Sequence, residues 1–237
     1  MLQTVTTEEL NNVTYTLVSA VGDALNAGDL SSMTQLVSAS LSIQVSGSEM
    51  NINTRLELLQ SVEMASTIGE NTADMMNSIL YMINVIVDDP ISITYETRSL
   101  GLSLLTDTIQ TGTTAFGAPS VEEGTAQLGI ISNLLESFYL NAEEGEFVGI
   151  SAVGALDALS LAMTNGMVAG QDAHDLAVGK LELQAQVVSS ADQLHLTTSS
   201  GISTCSLHLI LCHLSAMSLF LFFSLSFSVY FSFFFSN

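Results

Sequence analysis

The sequence predicts a mainly α fold: a bundle of about six or seven helices, then the start of a β unit, then an apolar tail. Three features predict it. Apolar residues recur at helical spacing between capping residues from Thr6 to Asn165. After Gly166 the apolar period drops to two. From Gln193 to Asn237 no residue carries a formal charge, and from Leu207 the chain is largely Leu, Phe and Ser. The expected divisions are a helical region over 1–165, an incomplete β-sandwich opening over 166–198 and a low-complexity tail over 199–237.

The first helix begins at a capping box, Thr6-Thr7-Glu8-Glu9, in which the Thr6 hydroxyl and the Glu9 carboxylate satisfy each other's backbone. Leu10, Val13, Leu17, Val21 and Leu25 form its stripe, and Gly28 is its stop. A second helix runs from a Ser31/Ser32 cap through Met33, Leu36, Val37 and Leu41. The segment SIQVSGSEMNIN after it reads as a loop or strand-like connector.

The stretch from Asn53 to Thr111 organises the rest. Asn53 or Thr54 caps a third helix, and the Gly69–Thr72 turn leads to a fourth. That helix carries Ala73, Met76, Ile79, Leu80 and Ile83 on one side and Met75, Met82, Val85 and Ile86 on the other. Being apolar all round, it belongs in an interior with other helices packed about it. Asp88-Asp89-Pro90 ends it, because proline drives the preceding residue out of the α region. Ser92 or Thr94 opens the fifth helix with Glu96 in its first turn, the sign the helix dipole favours.

Leu102, Leu105 and Ile109 carry the buried face onward to a break at TGTTAFGAPS. Ser120 with Glu122 and Glu123 opens the sixth helix, with Val121, Leu128, Ile131, Leu135 and Phe138 as its stripe. NAEEGE is a turn. Ala152, Leu156, Leu159 and Met163 mark a seventh helix ending near Asn165-Gly166. Beyond it, Leu181, Leu183, Ala185 and Val187 alternate with Glu182, Gln184 and Gln186, a strand with one buried face. A lone strand is unstable, so this one opens a larger β unit.

Three readings fit the tail. It is long enough for a membrane helix, although no Lys or Arg flanks it to set orientation. It could instead be a buried element. Its narrow Ser, Phe and Leu composition is also what translation of a pyrimidine-rich noncoding tract yields.

The chain has 237 residues, 48% of them apolar, enough for a sizeable core. Its net charge of −21 comes from scarcity of base: Arg55, Arg98 and Lys180 are the only Lys or Arg against 24 Asp and Glu. Such a surface repels phosphate backbones, which excludes nucleic acid, and it repels itself unless salt screens it. A saline exterior is one setting that tolerates it; descent from a lineage of acidic proteins explains it equally. Both cysteines, Cys205 and Cys212, lie in the tail, so no disulfide framework exists. The opening MLQTVTTEELNN has neither a basic nor an apolar signal region, so an extracellular chain of this type needs an N-terminus upstream of Met1.

Candidate sites are few. Asn12-Val13-Thr14 is an N-glycosylation sequon, with Asn12 off the apolar stripe. Cys205, His208 and Cys212, with His213 adjacent, would share a face on a helix and suit zinc, but they lie in an apolar tract without a supporting carboxylate. Calcium is the cation that Asp88-Asp89, Glu143-Glu144-Glu146 or Asp172 with Asp175 would take. None of these has the alternating loop, glycine and closing glutamate of a calcium hand.

No phosphate loop or dinucleotide fingerprint occurs, and Gly149-Ile-Ser-Ala-Val-Gly154 has the wrong spacing for a nucleophile elbow. His174 and His195 lack neighbours in sequence to work with. The methionines Met75, Met76, Met82, Met163 and Met167 read as adaptable core filler. These observations predict no enzyme, no cofactor and no metal.

Several segments together resemble a known family. They are Arg55-Leu-Glu-Leu-Leu59, a helix ending in Asp88-Asp89-Pro90, Leu100-Gly-Leu-Ser-Leu-Leu105, Ile131-Ser-Asn-Leu-Leu-Glu136, and Gly170-Gln-Asp ahead of Lys180-Leu-Glu-Leu-Gln-Ala-Gln-Val187. Over roughly residues 1–195 this succession resembles the receptor-for-egg-jelly (REJ) and GAIN-type regions of polycystin-like membrane proteins. The resemblance implies a helical subdomain followed by a β-sandwich with a self-cleaving site, then membrane helices. Here His213-Leu214-Ser215 has the letters of that cleavage tripeptide without the strands or cysteines before it, so the cleavage chemistry is not carried over.

The expected function is a noncatalytic extracellular or luminal module of a polycystin-like protein, acting as spacer, ligand-facing surface or mechanical element. Its partners would be a protein or glycan ligand and, through the tail, a membrane. The alternative is a soluble helical-bundle or solenoid interaction module, though no fixed repeat is visible. A lipid-associating bundle is disfavoured, because basic residues for a headgroup surface are missing.

Overall fold

The structure, a computed structural model, describes residues 6–68, 71–141, 149–168, 170–179, 181–188, 205–212 and 230–232. It is mainly α: α1 (Thr7–Asn26), α2 (Leu30–Ser42), α3 (Glu49–Ile68), α4 (Ala73–Ile86), a 3-10 turn (Pro90–Ser92), α5 (Tyr95–Phe116), α6 (Val121–Asn141) and α7 (Gly149–Thr164). The strands β1 (His174–Val178) and β2 (Leu181–Val188) follow as an antiparallel hairpin. β3 (Cys205–Cys212) lies parallel to β2, and β4 (Tyr230–Ser232) is antiparallel to β3, giving the order β1-β2-β3-β4.

Local chemistry sets most of the boundaries. The Thr6 capping box forms as the sequence predicts: Glu9 donates its N–H to Thr6 Oγ1, and Thr6 donates its N–H to Glu9 Oε2 at 2.8 Å. Ser120 and Glu123 repeat the device at the start of α6. Thr72 caps α4 and Thr94 caps α5.

Three boundaries differ from the sequence reading. Asp29, rather than Ser31 or Ser32, caps α2, because its carboxylate accepts from the Ser32 N–H. α3 begins at Glu49 instead of after Asn53, because the Ser48 hydroxyl accepts from the Asn51 N–H and supplies a cap; the connector shrinks to residues 43–48. α5 runs on to Phe116 through the threonine-rich segment expected to be a break. There Thr113 and Thr114 turn their hydroxyls onto the carbonyls of Ile109 and Gln110, four residues back, which suits a helix interior. Gly117, at φ +93°, then stops it.

α4 is the inner rod, though not apolar all round. Met75, Met76, Ile79, Met82, Ile83 and Ile86 are buried, while Asp74, Asn77, Tyr81 and Asn84 are exposed. It packs on α2, α3, α5 and α6, so one flank is wet and the rest enclosed. On α1, Val21 and Leu25 of the predicted stripe are buried, but Val13 is exposed and Thr14 takes the inward position. Val121 of the α6 stripe is likewise exposed.

The strands belong to the same core. Leu183 and Ala185 are buried, as the alternation predicts, with Leu176 of β1 beside them. β1 packs on α6 and β2 on α7. The sequence reading missed β1: His174-Asp175-Leu176-Ala177-Val178 presents only one buried position, too little for a period to show. The described parts of the apolar tail are strands; the remainder, with the NAEEGE turn from Ala142 on, lies outside the described residues. Among the described residues no helix is long and apolar enough to cross a membrane.

Candidate functional site

The most highly organised polar site is built on Arg55, which α3 carries on the same face as Leu58, Leu59 and Val62. That face is interior, and Arg55 is 4% exposed. Burying a guanidinium is costly unless its donors are met. They are met by the end of α4 and the turn after it. Arg55 Nε donates to Asn51 Oδ1 at 2.9 Å, and Nη1 donates to the carbonyls of Val85 and Ile86 and to Asp88 Oδ1 at 3.0 Å. Nη2 lies 3.8 Å from Asp89 Oδ2. The guanidinium thus places positive charge where the C-terminal carbonyls of α4 point, a role no residue in the last turn of α4 fills.

Around this ion a second ring closes. Ser46 Oγ donates to Asp89 Oδ1 at 2.8 Å, and Ser92 Oγ donates to Asp89 Oδ2 at 2.6 Å. The Gly47 N–H donates to Ser92 Oγ at 2.7 Å, and Asn51 Nδ2 reaches Ser92 Oγ at 3.0 Å and Asp89 Oδ2 at 3.2 Å. Gly47 sits at φ +72°, the conformation that lets its N–H meet Ser92. Burial pushes the Asp89 carboxyl up, but the Ser92 and Ser46 hydroxyls and Arg55 outweigh it and hold it below the usual carboxylate range.

A second interior arginine ties the other half of the bundle. Arg98 on α5 is 0% exposed. Its Nε donates to Ser137 Oγ at 2.9 Å, Nη2 reaches the Ser137 carbonyl at 3.3 Å, and its guanidinium carbon stands 5.8 Å from the Phe138 ring centre. Helices α5 and α6 are joined by this contact as α3 and α4 are by Arg55.

A shallow groove of about 230 Å³ runs between α4, the end of α5 and the start of α6. Met76, Leu80, Ile109 and Phe116 supply apolar walls, and Glu123 is the only ionisable residue lining it. Gln127 lines it too, but its Oε1 is enclosed and accepts no hydrogen bond.

The sequence-predicted sites fall as follows. Asn12 is exposed on α1, whereas Thr14, the hydroxyl residue of its sequon, is 2% exposed, so glycan transfer there would have to precede folding. Asp88 and Asp89 face Arg55, which supplies the positive charge that a calcium reading assigns to a metal. Asp175 Oδ1 accepts from Gln184 across the hairpin, and Asp172 is exposed before it. Glu143, Glu144, Glu146, His195 and His213-Leu214-Ser215 lie outside the described residues.

Cys205, His208 and Cys212 occupy a strand instead of the helix on which they would share a face. Gly149–Gly154 is the first turn and a half of α7, not a strand-to-helix elbow. Met75, Met76, Met82 and Met163 are buried core, and His174 opens β1. Among the described residues no three His, Cys, Asp or Glu converge as a metal set.

Sequence reasoning missed the ring of Ser46, Asn51 and Ser92, whose members are far apart in the chain. A signal for Arg55 existed: an arginine three and four residues before Leu58 and Leu59 sits on an apolar stripe and has to be paired inside. Comparisons with protein-family models, with curated proteins and with solved structures found no match to this chain.

Proposed function

We propose that the chain serves as a noncatalytic helical module in the extracellular or luminal region of a polycystin-like membrane protein, acting as spacer, ligand-facing surface or mechanical element. The observation that supports this reading most is the order of parts. A helical bundle passes directly into an antiparallel hairpin docked on its last two helices, α6 and α7, the succession that the resemblance to REJ and GAIN-type regions implies. The arginine of Arg55-Leu-Glu-Leu-Leu59 and the Asp88-Asp89-Pro90 segment, two of the stretches that carry the resemblance, meet in one cluster around the buried guanidinium. A module whose helices are tied together by hydrogen bonds from two buried arginines, Arg55 and Arg98, suits a load-bearing or spacing role.

Complete transcripts decide the assignment. A reading frame that continues beyond Thr198 into further strands and membrane spans is the expected result. Transcripts that all stop after Asn237, with a product recovered free of membranes, would refute it and favour the soluble interaction module.

A further inference from the structure

Among the described residues, folding sorts the charges by sign. Arg55 is 4% and Arg98 0% exposed, so neither arginine adds a cation to the described surface, and Lys180 lies outside the described residues. The carboxylates go the other way. None of the described Asp or Glu is buried, and all but Asp89, Asp157 and Glu182 are exposed. They cover the bundle without forming one patch: Asp23 on α1, Glu57 and Glu63 on α3, Asp107 on α5 and Glu136 on α6 stand on separate helices. Arg55 pairs with Asp88 and Asp89 from beneath, its own guanidinium staying inside the bundle.

A compact body coated with one sign of charge repels itself more than the expanded chain does, because folding shortens the distances between the charges. On the described surface no Lys or Arg offsets the repulsion. We infer that mobile cations from the solvent complete this fold: its stability is gated by ionic strength through a diffuse cation atmosphere rather than by coordination among the described carboxylates. The absence of any converging ligand set among the described residues, and the spread of the carboxylates over separate helices, make the atmosphere diffuse. The screening length falls from about 30 Å at 0.01 M to about 3 Å at 1 M, a range that brackets the roughly 8–10 Å between the axes of packed helices. This inference rests on the placement of charge alone and stands apart from the assignment above.

The test is thermal melting of the full chain at neutral pH, followed by circular dichroism, from about 10 mM to about 1 M ionic strength. Sodium and tetramethylammonium chlorides are compared at matched ionic strength. The expected result is a rise in Tm of at least about 5 °C, steepest below about 0.1 M and equal for the two cations within about 1 °C. A triple variant, Glu57→Lys with Glu63→Lys and Asp107→Lys, is expected to melt higher at low salt and to respond less to added salt. A Tm flat within about 1 °C across the range, a rise with sodium that tetramethylammonium does not reproduce, or an undiminished salt response in the variant overturns the inference. Should the triple variant not fold, the wild-type titration with the two cations decides it.

Discussion

Replacing Arg55 by methionine keeps most of the apolar stem and removes the guanidinium, and the structure gives the size of the loss. The Asn51 amide, the Val85 and Ile86 carbonyls and the Asp88 carboxylate lose a donor together, and Asp89 loses its counter-charge 3.8 Å away. Breaking a buried ion pair from one side costs roughly 3–5 kcal/mol. Part of that is recovered here, because Asp88 is 59% exposed and rehydrates, while Asp89 keeps the hydroxyls of Ser46 and Ser92. The Ile86 carbonyl stays enclosed without its partner, at about 1–3 kcal/mol.

The net expectation for Arg55→Met is therefore a loss of about 3 kcal/mol, or a Tm lowered by about 6–12 °C in a chain of this size. Arg55→Lys, which keeps the charge but not the planar fork, is expected to lose about half as much. Asp88→Asn should change stability by no more than about 0.5 kcal/mol, the worth of an exposed partner. Urea denaturation followed by far-ultraviolet circular dichroism measures all three. A loss under about 1 kcal/mol for Arg55→Met, or an Asp88→Asn loss equal to it, refutes the view that the arginine fastens α3 to the end of α4.

Two further predictions follow from the same geometry. Because Asp89 is held below the usual carboxylate range when folded, its contribution is present above about pH 4 and is lost as pH falls through the lowered folded value. Asp89→Asn should flatten the acid limb of the stability curve, measured by urea midpoints from neutral pH downward; an unchanged limb contradicts the ring around Ser92. The second concerns glycines. Gly22, Gly112 and Gly154 lie inside helices with open space where a Cβ would stand, so each change to alanine should add up to about 1 kcal/mol. Gly124→Ala should instead lose about 1 kcal/mol, since its Cβ would fall 2.6 Å from Met163 Sδ and 3.2 Å from Leu176 Cδ1; a uniform gain at all four positions contradicts the packing of α6 on α7 and β1.

The parts of the fold written in nearest-neighbour chemistry were legible in the sequence. Thr6 with Glu9, Thr94 ahead of Glu96, Ser120 with Glu123 and the Asp89-Pro90 break are all readable within a few residues, because caps and proline act locally. The β2 alternation survives in the structure for the same reason: Leu183 and Ala185 must both point one way. What escaped was set by distant partners or by residues that serve two structures. The threonines at the end of α5 look like loop until their hydroxyls turn back onto the helix, and β1 is a strand only because β2 and α6 lie against it.

The candidate site was the least legible part. Ser46, Asn51, Arg55, Asp89 and Ser92 come from α3 and two connectors, and no spacing announces that they will converge. The acidic pair that reads as a cation site is answered by an arginine thirty-three residues away. Asn12 is exposed, whereas Thr14, two residues on, turns inward at a position the apolar stripe of α1 does not mark.

The account depends on α4 as the enclosed rod of the bundle, latched at its end by Arg55. Native-state hydrogen exchange of the full chain tests this most directly. The amides from Ile79 to Ile86, where the buried residues concentrate, are expected to exchange only through global unfolding, alongside the most protected amides of α5. Exchange of those amides at rates matching the exposed first turn of α1 would contradict it.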